Sequence, residues 1–193
     1  MMRINKQIIY ILIAGVLIAG GIILFSIFYH SNPRQDMPKA VLKPKNTKDN
    51  LEKVNRFLVQ KDAERIQSFV QRRGWDMNKT GSGLWYSIYY NNKGPAIQEG
   101  DYVKINYEIR LLDGTLCYTS DSTGAKIIHV GMTEEVTGLH EGLKMFGEGD
   151  RARLIVPPHL AHGLLGDSEK IPARAILVYD LAILKVSDKK ISP

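Results

Sequence analysis

Cysteine is almost missing from this chain: Cys117 is the only one in 193 residues. That excludes an intramolecular disulfide and any multi-cysteine metal site, and it leaves the redox compartment open. A compact basic patch interleaved with aromatics is also missing. The net charge is +6, but the basic residues are scattered, so nucleic acid is not an expected partner. No long polar, highly charged stretch dominates. With 44% hydrophobic and 24% charged residues, wholesale disorder is excluded. His162 has no carboxylate or second histidine at metal-ligand or catalytic spacing, and neither a metal nor a cofactor is expected.

Charge is absent altogether between Ile8 and Phe28. As a helix that run spans roughly 30 Å, the thickness of a bilayer core. It is longer than the apolar core of a signal peptide. The following FSIFYHSNP has no small-x-small cleavage site, and no nearby cysteine can take a lipid. The expectation is an uncleaved single-pass membrane anchor over 1–29. Arg3 and Lys6 precede it, whereas Arg34, Lys39, Lys43 and Lys45 follow it, so the positive-inside count argues against an inside N-terminus. Long domains cross regardless of local charge, and topology stays open, as does the oligomeric state. Gly15 and Ala19 form a small-xxx-small pair that brings two anchors together in some helices.

Residues 30–46, with Pro33, Pro38 and Pro44, have the composition of an extended linker. The pattern then turns helical over 47–79. Asp49 and Glu52 stand at capping-box spacing. Leu51, Val54 and Leu58, then Ile66, Phe69 and Val70, form an apolar stripe interrupted near Lys61-Asp62 by a bend or by simple exposure. Gly74 suits a C-terminal cap, and one helix face is expected to pack on the next domain.

That domain is expected over 80–187, with a tail at 188–193. Leu84 to Tyr90 and Thr115 to Tyr118 have strand composition. Val103, Ile105, Tyr107, Ile109 and Leu111 alternate with Lys104, Asn106, Glu108 and Arg110, which predicts a strand with one buried face. Asp113-Gly114 is a hairpin turn. Ile127 to Val130 and Arg151 to Val156 are further strands, the latter stopped by Pro157-Pro158. Ala175 to Leu184 is apolar on both faces except Asp180, as in a central strand. Between them Val136, Leu139, Leu143 and Phe146 recur at helical steps, with Gly147 and Gly149 closing the helix. The fold class is α+β: a twisted antiparallel sheet wrapped around one short helix, preceded by a transmembrane helix and a longer amphipathic helix.

Three segments, GDYVKINYEIRLLDGT (100–115), VGMTEEVTGLHEGLKMFGEGDRARLIVPPHLAHG (130–163) and IPARAILVYDLAILK (171–185), resemble the FKBP-type peptidyl-prolyl cis-trans isomerases. GLWYSIYYNNKGPAIQEGD (83–101) is similar to the lead-in strand of members with an N-terminal extension. The anchor and the following helix resemble a membrane-attached, gliding-motility-associated branch whose domain lies on the periplasmic side.

The resemblance implies a pocket for proline-containing polypeptides. Tyr107 matches the family's wall tyrosine, Val136 its pocket-edge aliphatic, and Tyr179 its last-strand aromatic, ordinarily phenylalanine. Leu139 replaces the floor tryptophan. His162 replaces the loop tyrosine that donates a hydrogen bond, and a ring N–H offers the same function. Cys117-Tyr118 replaces a Phe-Asp pair, with Asp121 nearby as a displaced carboxylate. A further strand aromatic falls near Lys126 or Ile128, and Glu135 stands where an apolar rim residue is usual. Tyr107, His162 and Tyr179 are thus the expected catalytic residues, with Val136, Leu139, Tyr118 and Ile171 binding substrate.

Each has a plainer reading: Tyr107, Leu139 and Tyr179 as core residues, His162 as a solvated loop residue, Cys117 as a small buried hydrophobe. The implied function is a membrane-anchored isomerase assisting the folding of exported or envelope proteins. The alternative is a binding or chaperone module of the same fold with weak or no isomerase activity.

Overall fold

A computed structural model describes residues 47–191. The anchor and linker expected over 1–46 lie outside the described residues. Among the described residues no helix is long and apolar enough to cross a membrane.

The chain runs α1 (Thr47–Arg73), β1 (Asn78–Lys79), β2 (Trp85–Tyr90), β3 (Tyr102–Leu111), β4 (Leu116–Thr119), α2 (Ser120–Thr123), β5 (Lys126–His129), α3 (Thr137–Leu143), β6 (Arg151–Val156), a 3₁₀ turn (Pro158–Leu160) and β7 (Leu177–Ser187). The seven strands form one antiparallel sheet in the order β1-β2-β6-β7-β3-β4, with β5 also paired to β3. Strand β7 is central between β6 and β3, as its apolar composition predicts. It begins at Leu177 and continues to Ser187, later at both ends than composition suggests, because Ala175 is spent in a turn closed by its N–H on the Pro172 carbonyl.

Two apolar clusters sit on opposite sides of this sheet. On one side Leu139 and Leu143 of α3 meet Val103, Ile105, Leu154, Val156, Leu177, Tyr179, Leu181 and Ile183. Gly138 and Gly142 let α3 lie directly on β6: a Cβ would stand 2.4 Å from Val156 Cγ1 at Gly138 and 2.5 Å from Leu154 Cδ1 at Gly142. The helix is shorter than the spacing of Val136 and Phe146 suggests. Val136 is its extended N-cap residue and Phe146 lies beyond the Lys144 cap, yet Phe146 is still buried.

On the other side Ile66, Phe69 and Val70 of α1 pack with Ile155 and Ile176, flanked by Trp75 and Trp85. Helix α1 starts two residues ahead of Asp49, which falls in its first turn instead of capping it. The break in its stripe near Lys61-Asp62 combines an exposed Lys61 with a buried Asp62. The helix is continuous, and Asp62 is buried beside the Arg174 guanidinium at 2.6 Å. Leu51, Val54 and Phe57, a turn or more earlier, are exposed.

Candidate functional site

Strand β3 carries the first wall of the site. Its edge pairs with β4 as far as Glu108 and with β5 from Ile105 backwards, leaving residues 106–107 unpaired on that side. The short helix α2 fills the gap: Ser120 Oγ accepts the Tyr107 backbone N–H at 3.1 Å, and the Tyr107 hydroxyl shares a 2.8 Å hydrogen bond with Thr123 Oγ1. Tyr107 is half-buried against the α3-side cluster. Tyr179 of β7 and Leu139 of α3 belong to that cluster, with only 3% and 2% of their surfaces exposed. Val136 packs against it from the turn before α3. Burial, then the facing charge of Glu135, pushes the Tyr179 phenol well above its ordinary range, so it stays neutral at every physiological pH.

The second wall comes from the loop between the 3₁₀ turn and β7. Ile171 is buried in the same cluster, and its N–H donates to Asp167 Oδ1 at 2.8 Å. The same oxygen accepts the Glu169 N–H at 2.9 Å, while Asp167 Oδ2 accepts the Tyr118 hydroxyl at 2.5 Å. Partial desolvation raises the Asp167 carboxyl, but these three donors and the nearby His162 outweigh it and bring it down to about 2. The Tyr118 phenol is pushed up, first by its bond to Asp167, then by desolvation and a 3.2 Å bond to Glu169. His162 is half-buried between Ala161, which packs on the cluster, and Gly163, whose N–H closes onto the Pro158 carbonyl at 2.9 Å.

Six expected residues (Tyr107, Tyr118, Val136, Leu139, Ile171 and Tyr179) therefore lie in or against one apolar cluster, with His162 on the loop beside it. Asp121 is exposed in α2, and the carboxylate that meets Tyr118 is Asp167. Its local signal is Gly166-Asp167-Ser168, where Gly166 and Ser168 both have positive φ, a turn in which an aspartate bonds its own backbone two residues on.

Of the two candidates for the further strand position, Ile128 is fully buried. Lys126 instead reaches the Tyr107 ring, with Nζ 5.9 Å from its centroid, and forms an ion pair with Glu135 at 2.5 Å. Cys117 is buried. Burial and the Asp167 and Asp113 carboxylates push its thiol up, which lowers its thiolate fraction. Among the described residues no group of acidic, histidine or cysteine side chains could hold a metal ion.

An antiparallel sheet closed over one short helix, with Tyr107, Tyr118 and Tyr179 joining the apolar cluster between them, defines a recognisable class of domain. Residues 94–184 match the family model of FKBP-type peptidyl-prolyl cis-trans isomerases, so this segment is similar to that family. The chain is 30% identical over 161 residues to a probable FKBP-type peptidyl-prolyl cis-trans isomerase FkpA of Neisseria meningitidis, covering 83% of this chain and 55% of the relative. It thus spans about half the length of that curated relative. Among solved structures, the crystal structure of AtFKBP13 superposes with a TM-score of 0.54 at 25% identity, covering 58% of this chain and 99% of that one. FkpA from Escherichia coli superposes with a TM-score of 0.58 at 23% identity, covering 96% of this chain and 84% of that one; this shows a shared fold.

Proposed function

We propose that this chain catalyses cis-trans isomerisation of X–Pro bonds in polypeptides, and that Tyr107, Val136, Leu139, Ile171 and Tyr179 line the site. The observation that carries the reading is the convergence of these residues on one apolar cluster in a domain similar to the isomerase family. An X–Pro bond turns slowly because rotation costs the amide its resonance, a barrier of about 18–20 kcal/mol, and takes roughly tens to hundreds of seconds unaided. The twisted amide carries less separated charge than the planar one, so a site with few waters favours it. Leu139 and Tyr179, almost wholly buried, supply such surroundings, and the Tyr179 phenol adds no charge to them. A ring N–H of His162 is the proposed donor to a substrate carbonyl. No covalent step is needed.

The uncharged run from Ile8 to Phe28 supports attachment to a membrane. With the resemblance to membrane-attached relatives, it supports a role in folding exported or envelope proteins on the periplasmic side.

A specific observation also favours the alternative, a binding or chaperone module. Leu139, His162 and Cys117-Tyr118 stand together where the family ordinarily has other residues. The full chain in a protease-coupled assay on an Ala-Leu-Pro-Phe peptide separates the two. Acceleration over the uncatalysed rate is expected, with Tyr107→Ala lowering kcat/KM by about tenfold through loss of one wall. A rate equal to the uncatalysed one refutes the isomerase reading, and an unchanged Tyr107→Ala refutes this placement of the site.

A further inference from the structure

The ion pair beside Tyr107 bears on which polypeptides the site takes. Glu135 sits in the turn before α3, its backbone N–H bonded to the Thr133 carbonyl at 2.8 Å, and its side chain is only 18% exposed. Its partner Lys126 is 46% exposed and lies over the edge of the site at the Tyr107 ring. On the loop side, Tyr118 is held between Asp167 and Glu169, with Lys170 Nζ 5.0 Å from its ring centroid. Three carboxylates thus face two ammonium groups around the site, on a chain whose net charge is +6.

We propose that this rim selects polypeptides carrying lysine or arginine next to the proline and disfavours those carrying aspartate or glutamate there. The proposal rests on the isomerase reading of the same site and adds a substrate class to it. The two halves of the ion pair are unequal. Lys126 is long and exposed, and such pairs hold weakly in water, so it can swing into solvent. Glu135 is short, mostly covered and tied to its turn. An arriving ammonium or guanidinium takes over Glu135 while Lys126 becomes hydrated, so no charge is left unpaired. An arriving carboxylate gains only Lys126, and in doing so strips Glu135 of its partner in partly buried surroundings, which is costly. Asp167, held ionised on the loop side beside Tyr118, adds a second negative charge to that rim.

The test uses the full chain with three peptides, Ala-Lys-Pro-Phe, Ala-Leu-Pro-Phe and Ala-Glu-Pro-Phe, at about pH 8, where histidine is neutral. Both kcat/KM and equilibrium binding by fluorescence anisotropy are measured. The lysine peptide is expected to exceed the glutamate peptide by about tenfold at low salt, and the ratio should shrink as salt screens the rim. Glu135→Gln should bring the ratio to about twofold, and Lys126→Met, which removes the internal competitor, should raise it above wild type.

Equal affinities for the three peptides, a reversed order, or a ratio untouched by Glu135→Gln would overturn the proposal. The binding arm keeps it separate from the isomerase reading: charge preference without turnover sinks the enzyme and leaves the rim's selectivity standing. Turnover without charge preference does the opposite, and no binding or turnover of any peptide sinks both.

Discussion

Facing α3, strands β6 and β7 present Ala152, Leu154, Val156, Leu177, Tyr179, Leu181 and Ile183, all buried. On the other side the same two strands present Arg151, Arg153 and Ile155 with Val178, Asp180 and Ala182. Helix α1 covers only part of that side, through Ile66, Phe69 and Val70. The uncovered part is held by directional pairs. Arg153 donates to Asp180 Oδ2 at 3.2 and 2.9 Å, and its guanidinium lies 4.2 Å from the Trp75 ring centroid and 5.0 Å from that of Tyr89. The Tyr89 hydroxyl donates to Asp180 Oδ1 at 2.5 Å. Non-directional packing therefore builds the face with the candidate site, where excluding water matters. The face turned away uses charge and hydrogen bonds that tolerate water.

The largest effect expected from breaking this contrast is in the α3-side core. Leu154→Ala removes the side chain under Gly142 and should cost about 3 kcal/mol in urea unfolding. Arg153→Ala, on the adjoining residue but the opposite face, should cost about 1 kcal/mol. Equal losses would erase the distinction.

A smaller effect concerns the junction of α1 with the loop before β7. Arg174→Met leaves Asp62, 4% exposed, with only Arg65 at 3.8 Å, and should cost about 1–2 kcal/mol, less than a fully buried pair because Arg174 is itself part exposed. Lys144→Met, which breaks the exposed pair with Glu99, should cost clearly less than Arg174→Met. If the two variants unfold alike, Asp62 is not a buried anchor.

The smallest effects separate the faces by pH. Desolvation, then the Asp180 hydrogen bond, raises the Tyr89 phenol to about 12. Because its folded value lies above the unfolded one near 10, its contribution is whole below pH 10 and is lost as pH rises through 12. Tyr89→Phe should flatten that alkaline limb. Asp167 has the opposite sign. Its folded value of about 2 lies below the ordinary 3.8, so its contribution is present above about pH 4 and lost as pH falls toward 2. Asp167→Asn should flatten the acid limb alone. Thermal midpoints across pH check both, and either variant altering the other's limb would contradict the assignment.

Much of the scaffold is legible in the chain because its signals are local. The period-two run at Val103–Leu111 and the Pro-Pro stop after Val156 announce their strands without tertiary help. Asp62 reads as an interruption because its partner Arg174 is 112 residues away. Helix α2 escapes notice because four small polar residues have no periodicity; what calls for it is the gap it fills beside Tyr107. In the candidate site, pattern and resemblance reach Tyr107, Leu139 and Tyr179, which are carried on regular elements, and Val136, which caps one. They do not reach Asp167, whose contacts are set by a turn, nor the pairing of Lys126 with Glu135, which depends on strand β5 meeting the turn before α3.

Strand β7 pairs with β3 across ten registered positions, from Tyr102 opposite Ser187 to Leu111 opposite Leu177, and with β6 on its other edge. The middle of the sheet is therefore synthesised after both its neighbours. A ribosome that has released β2 to β6 has released strands with a missing centre, the β3 and β6 edges that flank β7 still unpaired. Such intermediates associate readily with one another, and closing distant strands is slow. A sheet of this design thus passes through its own vulnerable interval at birth. Holding nascent chains short of Leu177 should leave them protease-sensitive, and extension through Ser187 should make them resistant.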